Sequence, residues 1–570
     1  MINKLKILFT HNELIQSINL IVFLIIVLIF EVFGIAIFIP VFSILLEQDI
    51  DSSNIIIKSI NDFFVRMGLL ESKLFLLIII TSTFFLKTIV QTLIIYKQKK
   101  TVTNIIRDLS NRMFTKYLNQ PYIYYTKVNR SRIVQFLQTE ILFLFNYFEA
   151  LLSLVAEVII FFGIYLLIFL IEPLGVIFLT IAYMISGYVY YYFSTGRLNN
   201  WGIIRLNIDQ YLSKLILESI GNIKNIILSN LKNKFSNYFI SKNATKAKYT
   251  AYQLTVNQLP RIYFEFITII SIVSFLFFAI FQEENSSSAF FILAIFGLAS
   301  FKLLPSINKI FTYFQQINYY SSSFNKIADE LKNLNEPLKN ISNYQMFSFR
   351  HSITISDVSF SYEKNKILEK VNLNIKKGTI VGIIGESGAG KSTLINLITG
   401  LYQPIEGKIK VDNIDIRECL YEYQSKLAYV SQSVILFDES IKKNVAFELE
   451  EKLIDVDKVN SCLKEVELDK WVLNLENGLD TIVGEQGLQI SGGQKQRLGI
   501  ANALYKDPDI LIFDEATSSL DDRTETKIMN LISRFKNNKT IIIISHKAEK
   551  LKFCDEIYQV SNSNLSISKF

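Results

Sequence analysis

Apolar residues gather into long unbroken runs in the first half of the chain, whereas in the second half they alternate with polar ones. Runs near the ~20 residues that a transmembrane helix needs fall at about 18–46, 74–97, 143–171, 174–195, 255–281 and 288–312. The pattern predicts six spans. The runs at 18–46 and 143–171 exceed what a bilayer requires, and helices continuing out of the membrane account for that better than tilt does. The first run is too long for a signal-peptide core and lacks a small-x-small cleavage site, so it reads as a retained span.

Lysine and arginine set the orientation. The segment "YKQKKTVTNIIRDLSNR" after the second run is strongly basic, as is 197–250, while the links "IEPLG" and "QEENSSS" carry no positive charge. The basic segments and both termini are therefore expected in the cytosol, and the two long cytosolic connections must themselves be mostly helical. Between the first two spans, Ile56, Ile60, Phe63, Phe64 and Met67 recur at helical spacing opposite Lys58, Asp62 and Arg66. This predicts an amphipathic helix over about 52–70. It lies either on the outer membrane surface or against its own spans.

Composition agrees with a split chain. Of 570 residues 50% are hydrophobic, too apolar for a soluble enzyme and too long for one domain. From about residue 350 the composition is that of an ordinary soluble domain. The expected organisation is a membrane domain over 1–325, a polar linker over 326–347 and a soluble domain over 348–570. Cys419, Cys462 and Cys554 all fall in the soluble half without metal-ligand spacing, which suits reduced thiols in the cytosol. A net charge of +7 with no basic tail gives no sign of a nucleic-acid partner. The charge asymmetry reads as membrane topology.

The strongest chemical signal is "GESGAGKST": Gly385, Glu386, Ser387, Gly388, Ala389, Gly390, Lys391, Ser392 and Thr393. It follows the β-branched run "TIVGII" and precedes the apolar-periodic "LINLI", which gives a strand–loop–helix context. Glycines let backbone N–H groups close around phosphates, and the helix N-terminus adds its positive end. Lys391 would neutralise the β- and γ-phosphates, and the Ser392 hydroxyl would ligate Mg²⁺. A second element, "DILIFDE", is a buried strand run ending at Asp514 and Glu515. The first carboxylate can hold Mg²⁺ and the second can polarise the attacking water.

The stretch "ISGGQKQR", with Ser491, Gly492, Gly493 and Gln494, resembles the signature of ATP-binding cassettes, Ile490 replacing the usual leucine. The resemblance spans roughly 350–565. It implies that Tyr362 in "FSY" stacks on adenine and that Gln432 in "YVSQ" senses Mg²⁺, which would be shared by Ser392, Gln432 and Asp514. It further implies an X-loop in "TIVGEQG" with Glu485, a D-loop in "SSLD" ending at Asp521, and a switch histidine at His546 that contacts the γ-phosphate. Glu515 and His546 would then be the catalytic pair, with ATP and Mg²⁺ as cofactors. In this family the nucleotide sits between the phosphate loop of one copy and the signature of the other. The resemblance thus implies a dimer, most simply a homodimer. Six spans before a cassette resemble an ABC exporter half-transporter. The fold class implied is a six-helix transmembrane domain followed by an α/β P-loop nucleotide-binding domain. Turns near Pro121–Tyr125 and Glu218–Lys224 would be its coupling helices.

Four cations fall on the spans: Lys87, Arg261, Lys302 and Lys309. By helical rise, Lys87 and Lys302 lie roughly 20 Å, and Arg261 and Lys309 roughly 30 Å, below the outer ends of their spans. A charge there costs a few kcal/mol, so it faces a cavity or a partner. Glu31, Glu157 and Glu265 are available as ordinary partners. A surplus would favour an anionic substrate such as a phosphate or pyrophosphate. "PRIYFE", "KLLPSINKI" and "FEVFGIAIFIPVF" resemble the lipid-linked oligosaccharide flippase of bacterial protein N-glycosylation. That resemblance implies a bacterial inner-membrane protein. It would move a polyprenyl-pyrophosphate glycan from the cytoplasmic to the periplasmic side, with the four cations on the pyrophosphate and residues 52–70 on the polyprenyl tail. Where the family pattern has arginine, Lys87 and Lys302 keep the charge without the bidentate fork. Export of another lipid, a peptide or a drug is the alternative. A cassette that senses without transporting is disfavoured by the six spans and by Glu515.

Overall fold

The computed structural model describes residues 2–36, 73–171, 173–281, 286–335, 348–363, 365–484, 487, 490–517, 521–546 and 548–568. The expected outer helix over 52–70 lies outside these residues. The chain divides into two compact units, Met1–Gln120 with Tyr125–Pro337, and Pro121–Tyr124 with Leu338–Phe570.

The first unit is helical. Its elements are α1 (Ile2–Leu8), α2 (His11–Ala36), α3 (Lys73–Leu118), α4 (Tyr122–Lys127), α5 (Arg130–Gln135), α6 (Ile141–Ile171), α7 (Pro173–Gly221), α8 (Ile223–Leu228), α9 (Lys232–Phe281) and α10 (Ser286–Asn333). A π turn, Phe136–Glu140, joins α5 to α6. Each predicted span falls on one of α2, α3, α6, α7, α9 and α10, although 18–46 runs past the described end of α2. The helices α3, α7, α9 and α10 have 46, 49, 50 and 48 residues. That is about 70–75 Å each, over twice a ~30 Å hydrocarbon core, so apolar run and basic extension share one helix. By length and composition, three helices among the described residues can cross a membrane: His11–Val32, Arg130–Leu170 and Gly175–Gly221.

Two glycines permit close helix approach. A Cβ at Gly163 on α6 would lie 2.0 Å from Leu28 Cδ1 on α2, and one at Gly202 on α7 would lie 2.2 Å from the Tyr319 carbonyl oxygen on α10. The polar extensions are held by a buried charge cluster. Arg205 on α7 donates to Ser323 Oγ at 2.7 Å and to Asp209 Oδ2 at 3.3 Å, and it pairs with Glu140 Oε2 at 3.4 Å. Its guanidinium also lies 3.7 Å from the centre of the Phe143 ring. Charges removed from water must be paired in this way.

The polar stretch 326–347 is not all linker, because α10 continues to Asn333. Ile327, Ala328 and Leu331 are buried at helical spacing, and that apolar stripe outweighs the polar composition around it. The domain boundary expected at 325 also misses a second feature. Pro121–Tyr124 fold with the second unit, because Ile123 packs onto that unit's apolar cluster.

The second unit is α/β. A four-stranded sheet has the order β2-β1-β4-β5 and a six-stranded sheet the order β10-β9-β3-β8-β7-β6. The strands are β1 (Ser352–Tyr362), β2 (Asn365–Lys376), β3 (Ile380–Gly385), β4 (Glu406–Val411), β5 (Ile414–Asp415), β6 (Leu427–Val430), β7 (Ile510–Asp514), β8 (Thr540–Ile544), β9 (Glu556–Ser561) and β10 (Asn564–Ile567). In the larger sheet β6, β7, β8, β3 and β9 run parallel, and β10 is antiparallel to β9. Every residue of β7 and β8 is buried, which is why "ILIF" and "TIIII" read as continuous apolar runs rather than alternating ones. Helices α11 (Lys391–Ile398), α12 (Leu420–Ser425), α13 (Ile441–Ala446), α14 (Val456–Glu465), α15 (Asp469–Leu473), α16 (Gly492–Tyr505) and α17 (Asp522–Arg534) complete the unit.

Candidate nucleotide site

In a parallel sheet, ligands bind beyond the carboxyl ends of the strands. Here β3 ends in the phosphate loop, β7 in Asp514 and β8 just before Ser545 and His546. The loop turns through left-handed backbone at Gly388 (φ +84°) and Gly390 (φ +105°) before α11 begins at Lys391. At Gly390 a Cβ would lie 3.0 Å from Ile367 Cγ2, so glycine is needed there for space as well as conformation. Lys391 is buried, and its ammonium donates to the carbonyls of Gly385 at 2.7 Å and Glu386 at 2.9 Å. It also lies 3.4 Å from His546 Nδ1. Burial pulls the Lys391 ammonium below the ordinary lysine value, opposed only in part by Glu515 and Asp514.

The two carboxylates at the end of β7 are differently held. Asp514 Oδ2 accepts from the Tyr429 hydroxyl at 2.8 Å. Burial first, and Asp514 second, push that phenol well above its usual range, so it remains a donor. Glu515 sits in left-handed backbone (φ +50°), an unfavourable conformation for a residue with a Cβ. Its Oε2 accepts from Gln432 Nε2 at 2.6 Å, and its Oε1 meets His546 Nε2. Lys391, Gln432, Asp514, Glu515 and His546 therefore meet in one place, drawn from four separate stretches of sequence. The Ser392 hydroxyl, the Gln432 amide and Asp514 form a hard-oxygen donor set of the kind Mg²⁺ takes.

Tyr362 ends β1, at the tip of the β1–β2 hairpin, and packs on the same apolar cluster as Ala389 of the phosphate loop. Its hydroxyl donates to Tyr402 Oη at 3.1 Å. Neither Tyr402 nor Tyr429 is singled out by the motifs. The sequence signal for Tyr429 is a tyrosine on the strand just before Gln432.

The signature residues turn inward on themselves. Ser491 caps α16, accepting from Gln494 N at 3.2 Å, while Gln494 Oε1 accepts from Ser491 N at 2.9 Å. None of these bonds reaches the phosphate loop of the same chain. Asp521 caps α17 by accepting from Thr524 N at 3.0 Å, and that bond holds its carboxyl below the usual aspartate range. Glu485 and Ser518–Leu520 of the expected loops lie outside the described residues.

The four candidate substrate cations are not equivalent. Lys87 on α3 pairs with Glu31 on α2 at 2.7 Å, and Lys309 on α10 pairs with Glu157 on α6 at 2.6 Å. Glu157 also accepts from Ser306 Oγ at 3.2 Å. The expected surplus of free cations is therefore reduced by ordinary ion pairing. Arg261 on α9 is exposed, and among the described residues no carboxylate pairs with it, Glu265 included. Lys302 falls on α10, with its side chain outside the described residues. Close to Lys309 in sequence, an apolar groove of about 640 Å³ opens between α6, α7 and α10, lined by Phe161, Tyr165, Met184, Tyr188, Ile310 and Phe314 among others.

Residues 368–518 match the ABC transporter family, and that match implies ATP and Mg²⁺ as cofactors. Among curated proteins, the chain is 34% identical over 272 residues to an ATP-dependent lipid A-core flippase of Vibrio vulnificus, a match covering 47% of this chain and 45% of that protein. It is 38% identical over 207 residues to the ATP-dependent lipid A-core flippase of Francisella tularensis, covering 36% and 34%. An Arabidopsis thaliana protein, ABC transporter B family member 21, is 37% identical over 212 residues, covering 36% and 16%. The chain thus matches less than half the length of these relatives. Its fold is that of a bacterial Atm1-family ABC exporter solved with ATP bound: TM-score 0.75, 19% identity, 97% of this chain and 94% of that one covered.

Proposed function

We propose that this chain, an ABC transporter nucleotide-binding domain joined to a helical unit within an ABC exporter fold, is half of an ATP-driven lipid exporter. The meeting of Lys391, Gln432, Asp514, Glu515 and His546 beside one phosphate loop carries the reading. The six long apolar helices span the membrane, with both termini cytoplasmic. Two copies close around ATP, and the signature edge of each, Ser491–Gln494, completes the other's site. Closure is favoured because ATP binds the closed state better, and hydrolysis releases it.

The residues divide the chemistry. Lys391 turns from the loop carbonyls to the β- and γ-phosphates. Glu515 takes the proton of the attacking water, while Gln432 and His546 hold its two oxygens in place. Mg²⁺, when bound, neutralises charge on the β- and γ-phosphate oxygens. Asp514, fixed by Tyr429, Ser392 and Gln432 are the groups that would hold it.

The substrate we propose is a polyprenyl-pyrophosphate oligosaccharide, moved from the cytoplasmic to the periplasmic leaflet of a bacterial inner membrane by a homodimer. The exposed Arg261 supports an anionic headgroup, the aromatic groove between α6, α7 and α10 a hydrocarbon tail, and the similarity to lipid A-core flippases a lipid in general. The pairing of Lys87 and Lys309 with carboxylates favours a second reading, another lipid with a less charged headgroup. Proteoliposomes containing the purified chain separate the two. With Mg²⁺ and ATP, a fluorescent polyprenyl-pyrophosphate glycan should cross, and it should not cross in Glu515→Gln. Movement of a zwitterionic phospholipid alone would establish the second reading, and movement of neither lipid would overturn both.

A further inference from the structure

One tyrosine beside the candidate nucleotide site belongs to none of its motifs. Tyr402 follows α11, is 4% exposed, and sits at the centre of an aromatic cluster. Its ring lies parallel to Phe360 (centroids 5.1 Å, 4°) and perpendicular to Tyr362 (5.8 Å, 87°). Its hydroxyl accepts from Tyr362 at 3.1 Å. Its ring also lies tilted against that of Tyr122 (5.8 Å, 41°). Tyr122 belongs to Pro121–Tyr124, the four residues that fold with the second unit although the sequence on both sides of them belongs to the first. Ile123 beside it packs on the same apolar cluster as Tyr362 and Tyr402.

Tyr362 needs such support. It is the last residue of β1, paired across the hairpin with Asn365, and the next residue, Glu363, is already in left-handed backbone (φ +55°). A half-buried aromatic at a strand tip has few neighbours to fix its rotamer, and a stacking platform loses affinity with each orientation it samples. The Tyr402 hydroxyl fixes one end of the ring, and the Phe360–Tyr402 stack fixes Tyr402. Burial first, then the bond from Tyr362 and the nearby Tyr122, push the Tyr402 phenol far above its usual range, so the hydroxyl stays neutral at any physiological pH.

We propose that Tyr402 is a positioning residue for the nucleotide base: its hydroxyl sets the Tyr362 ring to receive adenine, and the Tyr122 ring packs against Tyr402. The four-residue segment therefore bears on the adenine platform, and base occupancy acts back on that segment through the same rings. This rests on Tyr362 being the adenine-stacking residue.

The test uses the full chain in lipid nanodiscs with two ligands, Mg·ATP and Mg·tripolyphosphate, the second lacking the base. Tyr402→Phe keeps the ring and removes only the hydroxyl. It should weaken ATP about five-fold, the worth of one neutral hydrogen bond, raise KM more than it changes kcat, and leave tripolyphosphate binding as it was. Tyr362→Ala should weaken ATP about ten-fold or more through lost stacking, and adding Tyr402→Phe to it should weaken ATP no further. Tyr122→Ala, at an exposed position, is the second variant, expected to weaken ATP two- to three-fold again without touching tripolyphosphate. The proposal is overturned if Tyr402→Phe binds ATP as the parent does while Tyr362→Ala does not, or if tripolyphosphate weakens in step with ATP. Parent-like ATP binding by Tyr362→Ala would instead remove the adenine role of Tyr362, and the proposal with it.

Discussion

Lys309 is both a candidate substrate cation and one half of an ion pair, and removing its partner separates the two roles. At 2.6 Å from Glu157, the attraction is about 6 kcal/mol at an effective dielectric of ~20, before desolvation. Breaking a fully buried pair costs about 3–5 kcal/mol, because the remaining charge is stranded. The Lys309 side chain is 53% exposed while that of Glu157 is 11%, so we expect Lys309→Ala to cost less, about 2–3 kcal/mol. Most of that loss belongs to Glu157, left among the described residues with Ser306 as its hydrogen-bond partner. Adding Glu157→Gln removes the stranded charge and should recover most of the stability. Thermal unfolding of the nanodisc-reconstituted variants measures this, and lipid translocation is followed on the same samples. If Lys309 touches the headgroup, the double variant is stable but translocates poorly. If Lys309 only neutralises Glu157, stability and translocation recover together. Failure of Glu157→Gln to relieve Lys309→Ala would refute the stranded-charge reasoning itself.

Glu515→Gln should lower ATP turnover about 10²–10⁴-fold, the usual contribution of a positioned general base, with ATP binding retained. Turnover near that of the parent would remove Glu515 from the role. Tyr429→Phe takes the hydroxyl from Asp514 and should raise the Mg²⁺ needed for half-maximal ATPase three- to five-fold, roughly one hydrogen bond; an unchanged Mg²⁺ dependence would show that Asp514 needs no such support. Asp412 accepts from the backbone N–H groups of Arg350, His351 (2.7 Å) and Ser352 (2.9 Å). Desolvation acts to raise its carboxyl, but these bonds prevail and hold it below the ordinary aspartate range. A depressed folded value means the stabilisation is complete above the unfolded value of about 3.9 and is lost as pH falls through the folded one. Asp412→Asn should therefore destabilise by about 1–2 kcal/mol at pH 7, and its deficit should shrink as the solution is acidified below pH 4. An equal deficit at pH 3 and pH 7 would count against the charge-assisted bonds.

The parts of the candidate nucleotide site were legible in the sequence because they are local. A phosphate loop needs glycines and a lysine at fixed spacing, and a buried parallel strand ending in two carboxylates is itself a short string. Their meeting follows from strand order, which motifs in known sequence then supply. Tyr402 was not readable, since a tyrosine that only supports another side chain has no spacing of its own to display, and Tyr429 had only its place on the strand just before Gln432. The helices were equally plain, although the α10 boundary was misplaced because composition was weighed above the buried Ile327–Ala328–Leu331 stripe. The cations and the carboxylates available to them, Glu31, Glu157 and Glu265, were all legible, but not which would meet which. Whether Glu31 meets Lys87, or Glu157 meets Lys309, depends on how α2, α3, α6 and α10 rotate against one another, and helical periodicity leaves that rotation open.

The signature motif supplies the physical case for the proposed dimer. Within one chain, Ser491 and Gln494 satisfy each other, and the phosphate loop gains nothing from them. That loop offers a single lysine, whose ammonium is bound to two of its own carbonyls. A triphosphate with one Mg²⁺ still carries about two negative charges, and one partly desolvated lysine leaves it under-compensated. Beyond the loop's own backbone N–H groups, further donors would come from elsewhere. The α16 helix has 14 residues, and its first N–H groups, at Gly492 and Gly493, carry no side chain that could block an approaching phosphate. In the proposed homodimer, a second copy turned so that this end faces the first copy's phosphate loop would supply those donors together with the Ser491 hydroxyl, and would receive the same in return. Such a two-fold contact is self-complementary, and it makes closure depend on nucleotide in both sites. Ser491→Ala should accordingly weaken the ATP-dependent association of two chains while leaving each chain's own hold on ATP nearly intact. Crosslinking yield with and without ATP measures the first, and ATP binding at high dilution measures the second. Loss of binding in the dilute, single chain would place Ser491 on its own phosphate loop and defeat the argument.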